Sequence, residues 1–340
     1  MARTRRVDTS SPGIRRVARG SGFSYHEEDG ERISDKATLE RIRALAIPPA
    51  WKDVWICPHP RGHIQATGFD AAGRKQYRYH DDWRESRDRI KFREMESFAK
   101  SLPELRARLD EGLALEDLVF DRVCSCAVRL LDLGLFRIGS ERYETENESY
   151  GLTTIKRTHV TIEDGGVTFD YPAKSGKRSF QTISDPVVLP TLKALKRRRG
   201  GAKLKDFLVY KDAGTWKDLD SAHVNAYIKE TAGEGFSAKD FRTWNATVLA
   251  AISIANHEER DATTKAARKR VVNDAVKETA RYLNNTPAVC RASYIDPRVF
   301  DRFASGETIA PRLQRIERAT DDEEFADRDK IEAAVLDLIG

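Results

Sequence analysis

In residues 38–45 the apolar positions Leu39, Ile42 and Leu45 recur every three residues, the spacing of one helical face. Ile47-Pro48-Pro49 ends that run, because proline has no N–H to give a helix. A different pattern follows. Val54-Trp55-Ile56-Cys57, His63-Ile64-Gln65-Ala66-Thr67 and Arg74-Lys75-Gln76-Tyr77-Arg78-Tyr79-His80 are short β-prone runs, and the turn-forming stretches 58–62 and 70–73 separate them. They predict a small antiparallel sheet domain. In the third run the period of two sets Lys75, Tyr77 and Tyr79 on one face and Gln76, Arg78 and His80 on the other, and neither face is plainly apolar.

Residues 81–118 are densely charged with a helical pattern, and the domain boundary is placed near residue 90, giving domains 1–90 and 91–340. Val123, Ala127, Leu130 and Leu131 form the buried stripe of a helix over 121–133, with Gly134 as its C-terminal cap. Three strands are predicted at 153–162, 167–172 and 178–183. Their turns are Glu163-Asp164-Gly165-Gly166 and Ala173-Lys174-Ser175-Gly176-Lys177, so Lys174 stands at a hairpin tip. Helices follow at 190–197, 221–231 closed by Gly233, 238–255, 264–283 and 331–339. The fold class is α+β: an N-terminal antiparallel sheet domain, then a larger, mainly helical domain containing a three-stranded sheet.

The 340 residues exceed the roughly 250–300 at which one core stops growing, in keeping with two domains. A hydrophobic fraction of 40%, a charged fraction of 33% and a mean hydropathy of −0.59 exclude a membrane span and describe a soluble globular chain. The net charge of +5 is unevenly spread: residues 1–20 hold six Arg and one Asp, residues 321–340 eight acidic and two basic residues. A basic body with an acidic tail suits a partner such as DNA or RNA. Residues 1–22 are expected to be a flexible basic arm, mobile without DNA. Cys57, Cys124, Cys126 and Cys290 form no C-x-x-C pair and read as reduced buried thiols. With no apolar leader at the N-terminus, the expected compartment is the cytosol.

No H-E-x-x-H, paired-cysteine or clustered D-x-D pattern calls for a metal, and Asp321-Asp322-Glu323-Glu324 reads as a solvated tail rather than a Mg²⁺ site. There is no G-x-x-x-x-G-K-[ST] loop for ATP. Phosphoryl-transfer chemistry here would run on Arg and Lys. Arg137 follows a helix stop, Lys174 tops a hairpin, Lys239-Asp240-Phe241-Arg242 begins a helix, and Asn285 and Tyr294 flank Thr286-Pro287. Each alone reads as a surface or ion-pairing residue.

In combination and in order, they resemble the type IB DNA topoisomerases, specifically the small bacterial and poxvirus form, from about Ile33 to Arg298. The sheet domain carries Ile47-Pro48-Pro49-Ala50-Trp51, Gly62-His63-Ile64-Gln65-Ala66 and Lys75-Gln76-Tyr77-Arg78-Tyr79-His80. The catalytic part carries Phe136-Arg137-Ile138-Gly139, Ala173-Lys174, Lys239-Asp240-Phe241-Arg242-Thr243-Trp244 and Leu283-Asn284-Asn285-Thr286-Pro287 before Tyr294. The resemblance implies the catalytic fold shared by tyrosine recombinases and these topoisomerases. It makes Tyr294 the nucleophile that leaves a 3′-phosphotyrosyl link and a free 5′-hydroxyl. Arg137 and Arg242 hold the non-bridging oxygens, Lys174 is the general acid, and Lys239 assists proton transfer or contacts phosphate. Asn285 stands nine residues before the tyrosine, where histidine is usual, and is given hydrogen bonding only, since an amide carries no charge. Gln76, Tyr77, Tyr79 and Tyr143 match DNA-contacting positions; Trp51 and Trp244 are expected in cores.

The resemblance implies a monomeric, nucleoid-associated clamp on double-stranded DNA that relaxes supercoils of either sign without ATP, metal or other cofactor, and with no membrane partner. A tyrosine recombinase shares the Arg, Lys, Arg, Tyr order but usually has His where Lys239 stands, and its N-terminal domain is helical. A non-catalytic DNA clamp explains the basic body and leaves the nucleophile spacing unexplained.

Overall fold

The first expectation to fail concerns the basic arm. In the computed structural model, which describes residues 4–134, 136–139, 148–163, 165–201, 204–319 and 326–340, strand β1 covers Ile14–Arg19 and pairs with β2, Gly22–His26. Arg19 faces Gly22 across the two-residue turn Gly20-Ser21, a compact hairpin connection that the surrounding arginines disguised. Ahead of it, Arg5 N–H donates to Arg61 O at 2.8 Å and Val7 N–H to His63 Nδ1 at 3.1 Å. These segments are ordered by backbone pairing; only Ile14 of β1 is buried.

The remaining elements of this unit, Met1–Arg93, are α1 (Lys36–Ala44), β3 (Lys52–Ile56), β4 (Ile64–Phe69) and β5 (Lys75–Tyr79). The antiparallel sheet has the order β2-β1-β3-β4-β5. Its core is Ile14, Ile42, Val54, Ile56 and Ala66, with Trp51 packed against it. Arg16 explains one basic residue of the supposed arm. Its guanidinium donates to Pro48 O at 3.1 Å and Trp51 O at 2.6 Å, supplying donors to a proline turn that has few of its own.

The second unit is Glu94–Gly340; helix α2, Asp81–Leu113, runs into it across the boundary. Then come α3 (Phe120–Gly134), β6 (Val160–Glu163), β7 (Gly166–Ala173), β8 (Lys177–Ile183), α4 (Leu189–Arg197), β9 (Val209–Asp212), β10 (Thr215–Asp218), α5 (Ser221–Ala232) and α6 (Ala238–Ala255). After them lie α7 (Lys265–Tyr282), α8 (Pro287–Ser293), α9 (Pro297–Ala304), α10 (Ala310–Ala319) and α11 (Ala326–Ile339). Strands β6, β7 and β8 make the three-stranded antiparallel sheet, and the whole is α+β. Among the described residues no helix is long and apolar enough to cross a membrane.

Three further expectations need correction. The strand read over 153–162 begins only at Val160, and Leu152–Thr154 and Arg157–His159 are single 3₁₀ turns. Thr153 and Thr154 look β-prone, but their hydroxyls bond the backbone instead, Thr153 Oγ1 to Ile138 O at 3.0 Å and Thr154 Oγ1 to Gly151 N–H at 3.0 Å. Gly134 is the last helical residue of α3, not a left-handed cap. Its missing side chain makes room for Phe136, whose ring would stand 2.0 Å from a Cβ there. Finally, α11 begins at Ala326 rather than at the expected residue 331, and it buries Glu332. The run Asp321-Asp322-Glu323-Glu324 lies outside the described residues.

Candidate active site

The site is organised by the way α7 ends. Asn285 N–H donates to Ala280 O at 2.9 Å and Asn284 N–H to Arg281 O at 3.0 Å, the paired bonds of a Schellman motif, with Asn284 in the left-handed region at φ 52°. Asparagine tolerates that conformation better than most side chains. The carbonyls at this end accept from two arginines. Arg137 Nη2 donates to Asn284 O at 2.9 Å and to Asn285 Oδ1 at 2.6 Å, while Arg242 Nη2 donates to Leu283 O at 2.8 Å. A helix C-terminus carries partial negative charge, so two like-charged guanidiniums can share it.

Arg137 is reached through a tight backbone crossing. Leu152 N–H donates to Arg137 O at 2.8 Å and Thr153 N–H to Ile138 O at 2.9 Å. A Cβ on Gly151 would lie 2.4 Å from Gly139 Cα and 2.8 Å from Arg137 O, so only glycine permits the approach. Phe136 anchors the segment beneath, edge-on to Phe169 at 5.2 Å between centroids.

Arg242 comes from the first turns of α6, with 5% of its surface exposed. Tyr294 follows α8, its N–H donating to Cys290 O at 2.9 Å and its carbonyl accepting from Thr247 Oγ1 of α6 at 3.4 Å. Arg242 Cζ lies 5.5 Å from the centre of the Tyr294 ring. Lys174 sits where expected, at the tip of the β7–β8 hairpin. Ala173 pairs with Lys177, leaving Lys174-Ser175-Gly176 as a three-residue loop closed by Gly176 at φ 70°. Lys239 is one turn before Arg242 on α6.

Arg137, Lys174, Lys239, Arg242 and Tyr294 line one cavity of about 260 Å³, together with Ser149 and Tyr150. Five of the six residues read as catalytic therefore meet. The sixth, Asn285, does not line this cavity; it reaches Arg137 through its carbonyl oxygen, and its buried Nδ2 has no hydrogen-bond partner among the described residues.

Burial, followed by the charge of Arg137, lowers the Arg242 pKa to about 10; the Tyr294 phenol acts in the opposite direction. Arg242 remains protonated at neutral pH. Burial raises the Tyr171 phenol, and the charges of Arg242 and Arg137 draw it partly back.

Of the residues expected to contact DNA, Gln76, Tyr77 and Tyr79 lie on β5 in the first unit. Tyr77 and Tyr79 are exposed and stacked, with centroids 6.0 Å apart, and Gln76 Nε2 donates to Asp70 Oδ2 at 2.9 Å. Tyr143 lies outside the described residues. Sequence reasoning missed Tyr150 and Tyr171, for which it offers no signal, and the carbonyls of Leu283 and Asn284, whose one signal is an Asn-Asn pair after a helix.

Residues 80–317 match the model of the eukaryotic DNA topoisomerase I catalytic core, and residues 22–70 that of the bacterial DNA topoisomerase IB N-terminal domain. The chain belongs to the type IB DNA topoisomerases. This topoisomerase is 32% identical over 287 residues to DNA topoisomerase 1B of Acanthamoeba polyphaga mimivirus, covering 83% of this chain and 85% of that protein. DNA topoisomerase 1 of Schizosaccharomyces pombe is 30% identical over 133 residues, 38% of this chain and 15% of that protein. DNA topoisomerase 1 of Candidozyma auris is 30% identical over 145 residues, 42% and 18%. The topoisomerase core match contains all six catalytic candidates, whereas Gln76, Tyr77 and Tyr79 fall between the two matched segments.

Proposed function

We propose that this topoisomerase relaxes positive and negative supercoils in duplex DNA by transient cleavage of one strand through Tyr294. The phenol oxygen, its proton lost to water, attacks the scissile phosphorus; a P–O bond to tyrosine forms as the P–O5′ bond breaks. The 3′ end is then held as a phosphodiester of tyrosine and the 5′ end leaves as a hydroxyl. The energy of the broken bond is kept in the new one, so resealing is the same step reversed and needs no ATP.

Lys174 donates the proton that the departing 5′-oxygen requires, from a hairpin tip that can reach over a bound strand. Arg137 and Arg242 take the two non-bridging oxygens, and a planar guanidinium matches such oxygens two at a time. A preset donor of this kind contributes roughly 10²–10³ in rate, and a well-placed arginine roughly 10³–10⁵. Lys239 assists proton transfer or contacts phosphate, and Asn285 keeps Arg137 in position through Oδ1, its hydrogen-bonding role in the reaction being exerted through that arginine. Tyr77 and Tyr79 contribute groove or backbone contacts that position the duplex, and the protein works as a monomer.

The observation that carries the reading is the meeting of Tyr294 with two arginines and two lysines around one cavity, although they lie up to 157 residues apart in the chain. It is tested by relaxation of supercoiled plasmid in EDTA without nucleotide, with Tyr294→Phe alongside. Full relaxation by the wild type, and neither relaxation nor an SDS-trapped protein–DNA adduct from the variant, is expected. A requirement for Mg²⁺ or ATP, or an adduct formed by Tyr294→Phe, overturns it.

A further inference from the structure

Helix α11 carries a charged network that the chemistry above does not use. Arg328 Nη2 donates to Asp132 Oδ1 at 2.7 Å, to Asp132 O at 3.0 Å and to Asn245 Oδ1 at 3.2 Å. Asn245 Nδ2 closes the triangle on Asp132 O at 2.9 Å. Arg106 of α2 reinforces it, binding both oxygens of Asp132 at 3.0 and 3.1 Å and Glu332 Oε1 at 2.8 Å. Asp132, Asn245 and Glu332 are all buried.

The two elements joined in this way are the ones that present the arginines. Asp132 lies at the end of α3, five residues before Arg137. Asn245 lies on α6, three residues after Arg242 and hence on a neighbouring part of the same helix face. The far end of α11 is tied to the segment that follows the tyrosine. Arg298 Nη1 donates to Ile339 O at 2.9 Å, and Arg298 Nη2 to the fully buried Asp296 at 2.7 Å. Asp296 N–H in turn donates to Thr247 Oγ1 at 3.1 Å, the hydroxyl that also holds the Tyr294 carbonyl. Fourteen residues at 1.5 Å each make a bar of about 21 Å.

We propose that α11 is a positioning strut for the reaction, in which Arg328 sets the spacing between the backbone that presents Arg137 and the helix that presents Arg242. Arg328 touches no reacting atom; it acts through Asp132 and Asn245. Buried ion networks add little net stability compared with apolar packing, but a fully hydrogen-bonded one admits only one geometry. Two guanidiniums that must meet the two oxygens of one phosphorus need that restriction, because a misplacement of about 1 Å can cost about 10²-fold in rate. The inference rests on the transesterification proposed above.

The test uses the full chain and supercoiled plasmid, with three readouts: the rate of SDS-trapped adduct formation at saturating enzyme, retention of DNA on filters, and the melting temperature. For Arg328→Ala the strut predicts adduct formation slowed about ten- to a hundred-fold, with DNA affinity within twofold of wild type. Arg328→Lys restores one charge beside Asp132, but its ammonium ends one bond short of the Nη2 that meets Asp132 and Asn245 and has no counterpart to the Nε that holds Glu332. Melting temperature therefore recovers more than rate. An Arg328→Ala protein that is folded and forms adduct at the wild-type rate overturns the proposal. So does a rate loss matched by an equal loss of DNA binding, or a Lys variant that recovers rate and stability in step. Should Arg328→Ala be unfolded at the assay temperature, Asn245→Ala and Asn245→Asp decide together, since both lose the Nδ2 bond to Asp132 O but the aspartate keeps an oxygen for Arg328: a several-fold slowing in the alanine variant that the aspartate variant escapes supports the strut, and equal rates in the two overturn it. If the wild type forms no adduct while Tyr294→Phe behaves identically, the transesterification reading falls, and the strut with it.

Discussion

Two pairs of arginines, each with one member buried and one half-buried, lie in the second unit, and they are treated in opposite ways. Arg106 and Arg328 surround Asp132, with Glu332 shared between them, and the described bonds of that cluster pair charge with charge, with a main-chain oxygen or with the Asn245 side-chain amide. Burial lowers the Arg106 pKa, but Asp132 and Glu332 more than reverse this, so its proton is held more tightly than usual. Arg137 and Arg242 rest instead on carbonyl oxygens at the end of α7. Burial and mutual repulsion hold Arg242 at about 10, and no carboxylate is among the causes. The first pair is complete as it stands. The second rests on dipoles rather than on carboxylates in the bonds described, and it is the pair to which the proposed function assigns the two non-bridging oxygens of a phosphodiester.

The contrast breaks most visibly if the second pair proves structural. Arg137→Ala and Arg242→Ala should each slow adduct formation by roughly 10³–10⁵, while the melting temperature is held or rises because one of two repelling cations is gone. A parallel fall in stability and rate would erase the distinction. The first pair should answer the other way. Asp132→Ala strands the buried Arg106 and the half-buried Arg328 guanidiniums and should cost about 3–5 kcal/mol in urea unfolding. A loss below about 1 kcal/mol, the range of an exposed pair, would mean that the cluster is not held as described.

The smallest effect sharpens the comparison through pH. Burial pushes the Asp132 carboxyl up, but Arg328 and Arg106 outweigh it and leave the native pKa below 3.8. A carboxylate with a depressed native pKa contributes stability that is complete above the unfolded value and is lost as pH falls through the native one. Wild type should therefore lose stability steadily between about pH 5 and about pH 2, and Asp132→Asn, already weaker, should lose less over that interval. Parallel curves by circular dichroism would show that the depressed carboxylate lies elsewhere.

Much of the fold was readable because local signals agreed. Helix α6 has the bounds Ala238–Ala255 that its apolar run suggested, and Ser237 and Asp240 close its start through a capping box. The Lys174 hairpin was equally plain from its turn residues. Other parts failed for physical reasons. β1 was hidden because strands held by backbone pairing need no apolar face, and its arginines read as a solvated arm. The short hairpin β9–β10 turns at Ala213-Gly214 with both residues at positive φ, a signal too brief to stand out beside longer helical runs. In the site, the order of reactive side chains was legible, but their support was not: the groups that hold Arg137 and Arg242 are mostly main-chain oxygens. The burial of Glu332 had no signal in the sequence, because it rests on Arg106 and Arg328, which come from far along the chain and from the preceding turn of its own helix.

Because the acceptors at Leu283 and Asn284 belong to the peptide chain, replacing either side chain leaves the oxygen in place. The cradle is reached by point substitutions in that turn only indirectly, through the left-handed backbone at Asn284 and the Asn285 side-chain oxygen. What it cannot tolerate is a change in how the helix stops: a proline that removes the Asn285 amide, or one residue inserted before it, would rotate both oxygens away together. The cradle that holds Arg137 and Arg242 is thus encoded in where a helix stops more than in the side chains along it.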